Sequence, residues 1–177
     1  MKRTLLFLFI TALAASIAIA QSQVRKEPVP GITNLARIES TVACAGAVTP
    51  SAVAEIKQMG FKTIFNFRLA TEQGADIESE TAAAKAAGIN FVHLPLSGGS
   101  PEPAVAENFI KAITMPGAEP AFIHCASGNR AAAMWFIKRV VVDKWDTDRA
   151  MAEASELGAM SQVMKTFALD YIKSHKN

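Results

Sequence analysis

Two cysteines and three histidines are all that the 177 residues offer of the side chains that hold transition metals. The histidines stand at positions 93, 124 and 175, so no ligand cluster assembles at recognisable spacing and no metal is expected. Internal repeats and low-complexity tracts are absent, which excludes a solenoid or a disordered tail. The chain also lacks a basic domain. Its formal net charge is +2, and that excess belongs to Lys2 and Arg3 at the very start. Nothing argues for nucleic acid as a partner. Trp135, Trp145 and the phenylalanines fall at positions that fit a core, and they form no cofactor box; no cofactor is expected.

The one long uncharged apolar run, Thr4 to Ala20, follows the basic Met1-Lys2-Arg3 and ends in the small-x-small triplet Ala18-Ile19-Ala20. That is the layout of a secretory signal peptide over residues 1–20, cut before Gln21. A membrane anchor is the alternative, but the run is short for a span and ends in a cleavage-type triplet. No cysteine sits at the cut to carry a lipid, so no stable membrane anchor is expected after cleavage. A periplasmic or secreted protein of 157 residues and zero net charge would remain, enough for one domain with a real core.

Residues 21–37 read as a polar lead-in, with two prolines and a glycine before Asn34, and 38–177 as the folded domain. Four short apolar runs read as strands, over residues 41–45, 62–67, 90–94 and 121–124. Helical patterns cover 50–59, 76–87, 102–114, 129–142, 146–157 and 161–174. Pro50 opens one of these and Gly60 closes it, and acidic residues lead the helix that Gly88 ends. Strands alternating with helices predict an α/β fold, a mostly parallel sheet of about four to five strands flanked by helices. Ligands of such sheets bind beyond the carboxyl ends of the strands.

One strand ends in His124-Cys125, followed by Ala126-Ser127-Gly128-Asn129-Arg130 and a helical pattern. A thiol reacts as thiolate, and this loop supplies what favours that form. Ala126, Ser127, Gly128 and Asn129 are small or turn-prone, so backbone N–H groups can converge on an anion. The following helix turns its positive end to the same place. Arg130 adds a fixed charge and a planar fork suited to a tetrahedral oxyanion. The bland reading is a buried cysteine between strand and helix. Cysteine, glycine and arginine in this order at a strand-to-helix junction favour a nucleophile beside an anion site.

The stretch HCASGNR resembles the signature loop of cysteine-dependent phosphatases. ACAGAVTPSAVAEIKQMGFKTIFNFR, residues 43–68, is similar to the opening strand, helix and Asn-Leu-Arg strand of bacterial dual-specificity-like phosphatases. It is closer still to the phosphatase-like domain of β-lactamase-hydrolase-like proteins, whose His-Ile-Pro-Val strand end FVHLPLSGG matches. The similarity runs from Ile38 to Ile172 and takes in the tail seen in exported relatives. It implies a dual-specificity-phosphatase-like fold, Cys125 as nucleophile, residues 126–130 as the phosphate-binding loop and a phosphomonoester, on a small molecule or a protein, as substrate.

Three departures from that pattern stand in the sequence. Phosphatases of this kind place five residues between cysteine and arginine, and here there are four. Four is the spacing of rhodanese-type sulfurtransferases, whose loops can read Cys-x-Ser-Gly-Asn-Arg and hold a persulfide; a sulfane-sulfur donor then replaces the phosphate ester. Ala131 stands where a Ser or Thr commonly follows the arginine. The loop SGGSPEPAVAEN lacks the Asp that would protonate a leaving alcohol, a loss of about a hundredfold or more. Glu102 is the candidate substitute, with Glu107 farther along; both also suit the first turn of a helix. The readings are therefore a phosphatase, a sulfurtransferase, and a non-catalytic oxyanion-binding module.

Among the remaining residues, the resemblance makes Arg68 mainly structural, tied to a neighbouring acid such as Glu72. His124 is expected to help hold the loop and favour the thiolate. His93 reads as a core or edge histidine. Cys44 lies in a segment that runs close to the loop in the resembled fold, so it is either a redox partner of Cys125 or a packed apolar residue.

Overall fold

The computed structural model describes residues 23–38 and 41–175 of the chain. The expected signal peptide lies outside the described residues. Strands β1 (Val24–Lys26), β2 (Ala36–Ile38), β3 (Val42–Ala45), β4 (Thr63–Asn66), β5 (Asn90–His93) and β6 (Ala121–His124) form one sheet in the order β1-β2-β3-β6-β4-β5. The β3–β6, β6–β4 and β4–β5 pairs are parallel, and the two pairs that join β1, β2 and β3 are antiparallel. The α/β reading holds.

The sheet has six strands rather than four to five, and the additional two come from the segment read as a lead-in. Alternation over three residues is too short to stand out in a sequence, and Pro28 and Pro30 mask it further. In the fold it is clear. Ala36 and Ile38 are buried opposite Cys44 and Val42, and Arg37 points the other way to Glu27.

Helix α1 (Val53–Gln58) follows a single 3₁₀ turn at Pro50–Ala52. In α2 (Ile77–Ala87) the Asp76 carboxylate caps by accepting from the Ser79 amide, and Gly88 closes the helix in the left-handed region. Helices α3 (Pro103–Ile113), α4 (Asn129–Val141), α5 (Thr147–Leu157) and α6 (Gln162–His175) complete the chain. No helix among the described residues is long and apolar enough to cross a membrane.

Strand alternation sends side chains to two cores. Val42, Cys44, Phe65, Ile123 and Cys125 join the core that includes Phe109 of α3, Trp135 of α4, Leu157 of α5 and Met164 of α6. Ala43, Ala45, Ile64 and Phe122 face α1 and α2 with Ile56, Phe61 and Ala84. Central in the first core is α4, buried over most of its length, so the loop that feeds it is held firmly at its far end.

Candidate active site

Cys125 follows directly on β6 at the carboxyl edge of the parallel strands, and its amide still donates to Ala45 O (3.2 Å). The chain then turns through Ala126, Ser127 and Gly128 and enters α4 at Asn129. Gly128 lies at φ 99°, a left-handed conformation that a side chain strongly disfavours. That turn aims the Gly128 N–H at the Cys125 sulfur, 3.2 Å away. The sulfur is fully buried, below a rim made by the exposed Ala126 and Ser127.

Arg130, in the first turn of α4, stands beside that sulfur. Burial acts against its charge, but the Glu72 carboxylate and the charge of Cys125 outweigh this and raise its pKa. Its Nη1 donates to Phe67 O (3.0 Å), Leu96 O (2.8 Å) and Glu72 Oε1, and Nη2 donates to Glu72 Oε2 (2.9 Å). The guanidinium is thus fixed to the ends of two neighbouring strand segments and to one carboxylate.

Glu72 is the site residue that sequence reasoning missed in this role. It accepts from Arg130, from the Leu69 amide (2.9 Å) and from Arg68 Nε (3.4 Å). Burial works to raise its pKa, yet the hydrogen bonds from Arg130, Leu69 and Arg68 hold it at about 2. Its only local signal is the four-residue step from Arg68, since Arg130 comes much later in the chain. The Nη atoms of Arg68 donate to Gly74 O (2.8 Å) and Gln73 O (2.6 Å), closing the turn that presents Glu72.

His124 does not support the sulfur directly. Alternation turns its ring to the opposite face of the sheet from Cys125, where Nε2 lies 2.8 Å from Oε1 of the buried Glu80. The two are not aligned for a hydrogen bond, and Nδ1 has no partner among the described residues. Asn66 carries the other Glu80 oxygen (2.8 Å) and accepts the Arg68 amide (2.7 Å). So His124 belongs to a buried polar chain that ties β6, β4 and α2 together. His93, read as a core or edge residue, meets Arg68 O through Nε2 (2.8 Å).

The loop is clamped from outside by segments remote in sequence. Asn34 Nδ2 donates to Ser127 O (3.2 Å), the Ala47 amide donates to Ala126 O (3.0 Å), and Gly46 bridges Ser127. The Asn129 side chain is spent on structure: its Oδ1 accepts the Ser161 amide (2.7 Å), ahead of α6. Glu102, the candidate acid, is exposed at the N-cap of α3 and its side chain makes no capping bond. Glu107 is exposed as well, and its charge acts on Tyr171 of α6. Cys44 and Cys125 are both free thiols. Burial, then the neighbouring charge of Cys125 and that of Glu153, push the Cys44 pKa far up. Among the described residues no group of His, Cys, Asp or Glu is placed to hold a metal.

Residues 34–142 match the family described as "Beta-lactamase hydrolase-like protein, phosphatase-like domain". No curated protein matches the chain. Among solved structures, a DUF442 protein of Shewanella putrefaciens CN-32 is 17% identical, covers 82% of this chain and 95% of its own, and superposes with a TM-score of 0.68. TpbA of P. aeruginosa, in a Cys→Ser form in complex with pTyr, is 18% identical over 90% of this chain and 99% of its own, at a TM-score of 0.64. The core catalytic domain of the PP-IP phosphatase SIW14 of S. cerevisiae, in complex with citrate, is 14% identical over 81% and 88%, at 0.65. At these identities the likeness is one of fold.

Proposed function

From the premise that the chain belongs to the phosphatase-like domain family of β-lactamase hydrolase-like proteins, we propose a cysteine-dependent hydrolase of a phosphomonoester. One observation carries this reading: the Cys125 sulfur, at the mouth of α4, receives the Gly128 N–H and lies beside Arg130. The Cys125 thiolate attacks phosphorus, the bond to the leaving oxygen breaks, and that oxygen departs with the electron pair. Loop amides and Arg130 stabilise the equatorial oxygens during attack. Water then cleaves the phosphocysteine and restores the thiolate. With the signal peptide read from residues 1–20, the enzyme works in the periplasm or outside the cell.

The leaving group must depart without a proton from the enzyme. Glu72 is ionised and committed to two arginines, and Glu102 sits exposed at a helix cap. The substrates that fit are esters whose leaving group is already a good anion, such as aryl phosphates. The test is a series of aryl phosphates. A Cys125-dependent rate that falls steeply as the phenol pKa rises supports the reading; no release of phosphate from the most activated ester removes it.

The four-residue spacing from Cys125 to Arg130 favours a second reading, sulfur transfer. Cys125 takes the outer sulfur of thiosulfate, sulfite leaves with the bonding pair, and an acceptor thiolate later collects the sulfur. This chemistry needs no acid. A gain of one sulfur atom in the intact mass of the protein after thiosulfate, abolished in Cys125→Ala, would establish it.

A further inference from the structure

The segment first read as a lead-in walls a groove of about 930 Å³ that reaches the signature loop at Ser127. One side is the stretch from β1 to Leu35, and the other is the end of α5 with Gly158 and Ala159. Val29, Ile32, Leu35 and Leu157 give it an apolar lining. Three charged residues line it, and each has a partner: Lys26 and Glu156 lie 3.8 Å apart, and the Glu27 carboxylate accepts from Arg37 Nε. The wall is built onto the loop. Asn34, at φ 50°, turns its amide to Ser127 O, while Thr33 exchanges backbone hydrogen bonds with Gly46 and Ala47.

A volume of this order suits a small organic ligand. Ser127 is exposed where the groove meets the rim above Cys125, so a molecule with its charged end at the sulfur can cross Ser127 into it. The lining selects what lies there. The apolar stretch of Val29, Ile32, Leu35 and Leu157 would leave hydroxyls of a sugar or nucleoside unpaired, and the Asn34 amide is already spent on Ser127 O. A fixed charge would meet only charged groups that already have partners.

We propose that this groove is a second substrate subsite, which takes an apolar aryl body attached to the leaving oxygen while the phosphoryl group sits at Cys125. The proposal rests on the phosphatase reading for the chemistry of the attached group, but the groove can be tested separately.

The probes are methylphosphonate and naphthylmethylphosphonate, neither of which is hydrolysed, titrated calorimetrically against the full protein. The naphthyl compound is expected to bind about tenfold tighter or more, from apolar area removed from water. Ala159→Trp and Ser155→Trp each place an indole in the groove from an exposed position, and each is expected to collapse that preference towards unity. Thermal unfolding of both variants shows that they fold. Equal affinities for the two phosphonates, or a preference that survives both tryptophans, would overturn the subsite. A groove-dependent naphthyl preference with no Cys125-dependent ester hydrolysis would instead remove the phosphatase reading and leave the subsite standing. Ester hydrolysis without the preference would do the reverse.

Discussion

Glu72 and Arg130 meet through both carboxylate oxygens and both terminal guanidinium nitrogens, although 58 residues separate them in sequence. The pair orients the charge beside the Cys125 sulfur and joins the turn after β4 to the start of α4. Glu72→Gln keeps the shape but removes the charge and one acceptor. Stability should fall by about 2 kcal/mol, and kcat/KM for an activated aryl phosphate about tenfold or more. Urea unfolding and steady-state kinetics measure the two effects.

The same carboxyl sets an acid limit. Its pKa is lowered from 4.5 to about 2, so its stabilisation is complete above about pH 4.5, where the unfolded chain is also ionised. It is lost as pH falls towards the folded-state value, and its upper bound is about 3 kcal/mol. The stability gap between the protein and Glu72→Gln should therefore narrow steadily from pH 5 down. A gap that stays constant over that range would show that Glu72 acts through packing alone.

Arg130→Lys should lose nearly as much activity as Arg130→Ala. An ammonium cannot serve the Glu72 carboxylate, Phe67 O and Leu96 O and also present a planar edge to an oxyanion. A lysine variant that retained more than about a tenth of kcat would show that point charge suffices.

Gly158 is extended, at φ −175°, so backbone conformation does not demand glycine there. Contact does: a Cβ would stand 2.8 Å from Gly128 O and 3.1 Å from Ala132 Cβ. Gly158→Ala should push the signature loop and cost about 1–3 kcal/mol, with a fall in kcat larger than any change in KM. Parallel denaturation and kinetic measurements separate the two consequences.

Cys44 should behave as a packing residue. Its thiol is buried and held protonated beside the charge of Cys125, and a protonated thiol does not attack an oxidised sulfur. Stoichiometric peroxide should convert Cys125 to its sulfenic acid, with water released, and the intact mass should rise by one oxygen. A loss of two hydrogens, absent in Cys44→Ala, would make Cys44 a redox partner after all.

Much of this architecture was legible because its signals are local. Short apolar runs marked β3, β4, β5 and β6, Asp76 and Gly88 bracketed α2, and Asn129 opened α4. Cys125 and Arg130 were found because six consecutive positions hold the whole pattern. The rest is long-range. Three-residue strands such as β1 and β2 exist only through partners elsewhere, and Glu72 matters only once folding brings Arg130 to it. His124 shows the converse: adjacency in sequence suggested support for Cys125, and the pleat of β6 put its ring on the other face.

The clamps on the signature loop also govern how the protein comes to be active. Asn34, Phe67, Glu72, Leu96 and Ser161 reach the loop across 93, 63, 58, 34 and 32 residues. Contacts of such separation form late, because ordering the chain between them must come first. A fragment that ends before Ser161 lacks one of these clamps, and one that begins after Asn34 lacks another. Enzymatic competence is therefore a property of the whole cooperative unit, and its recovery on refolding should keep pace with the last tertiary signal rather than with the appearance of helix.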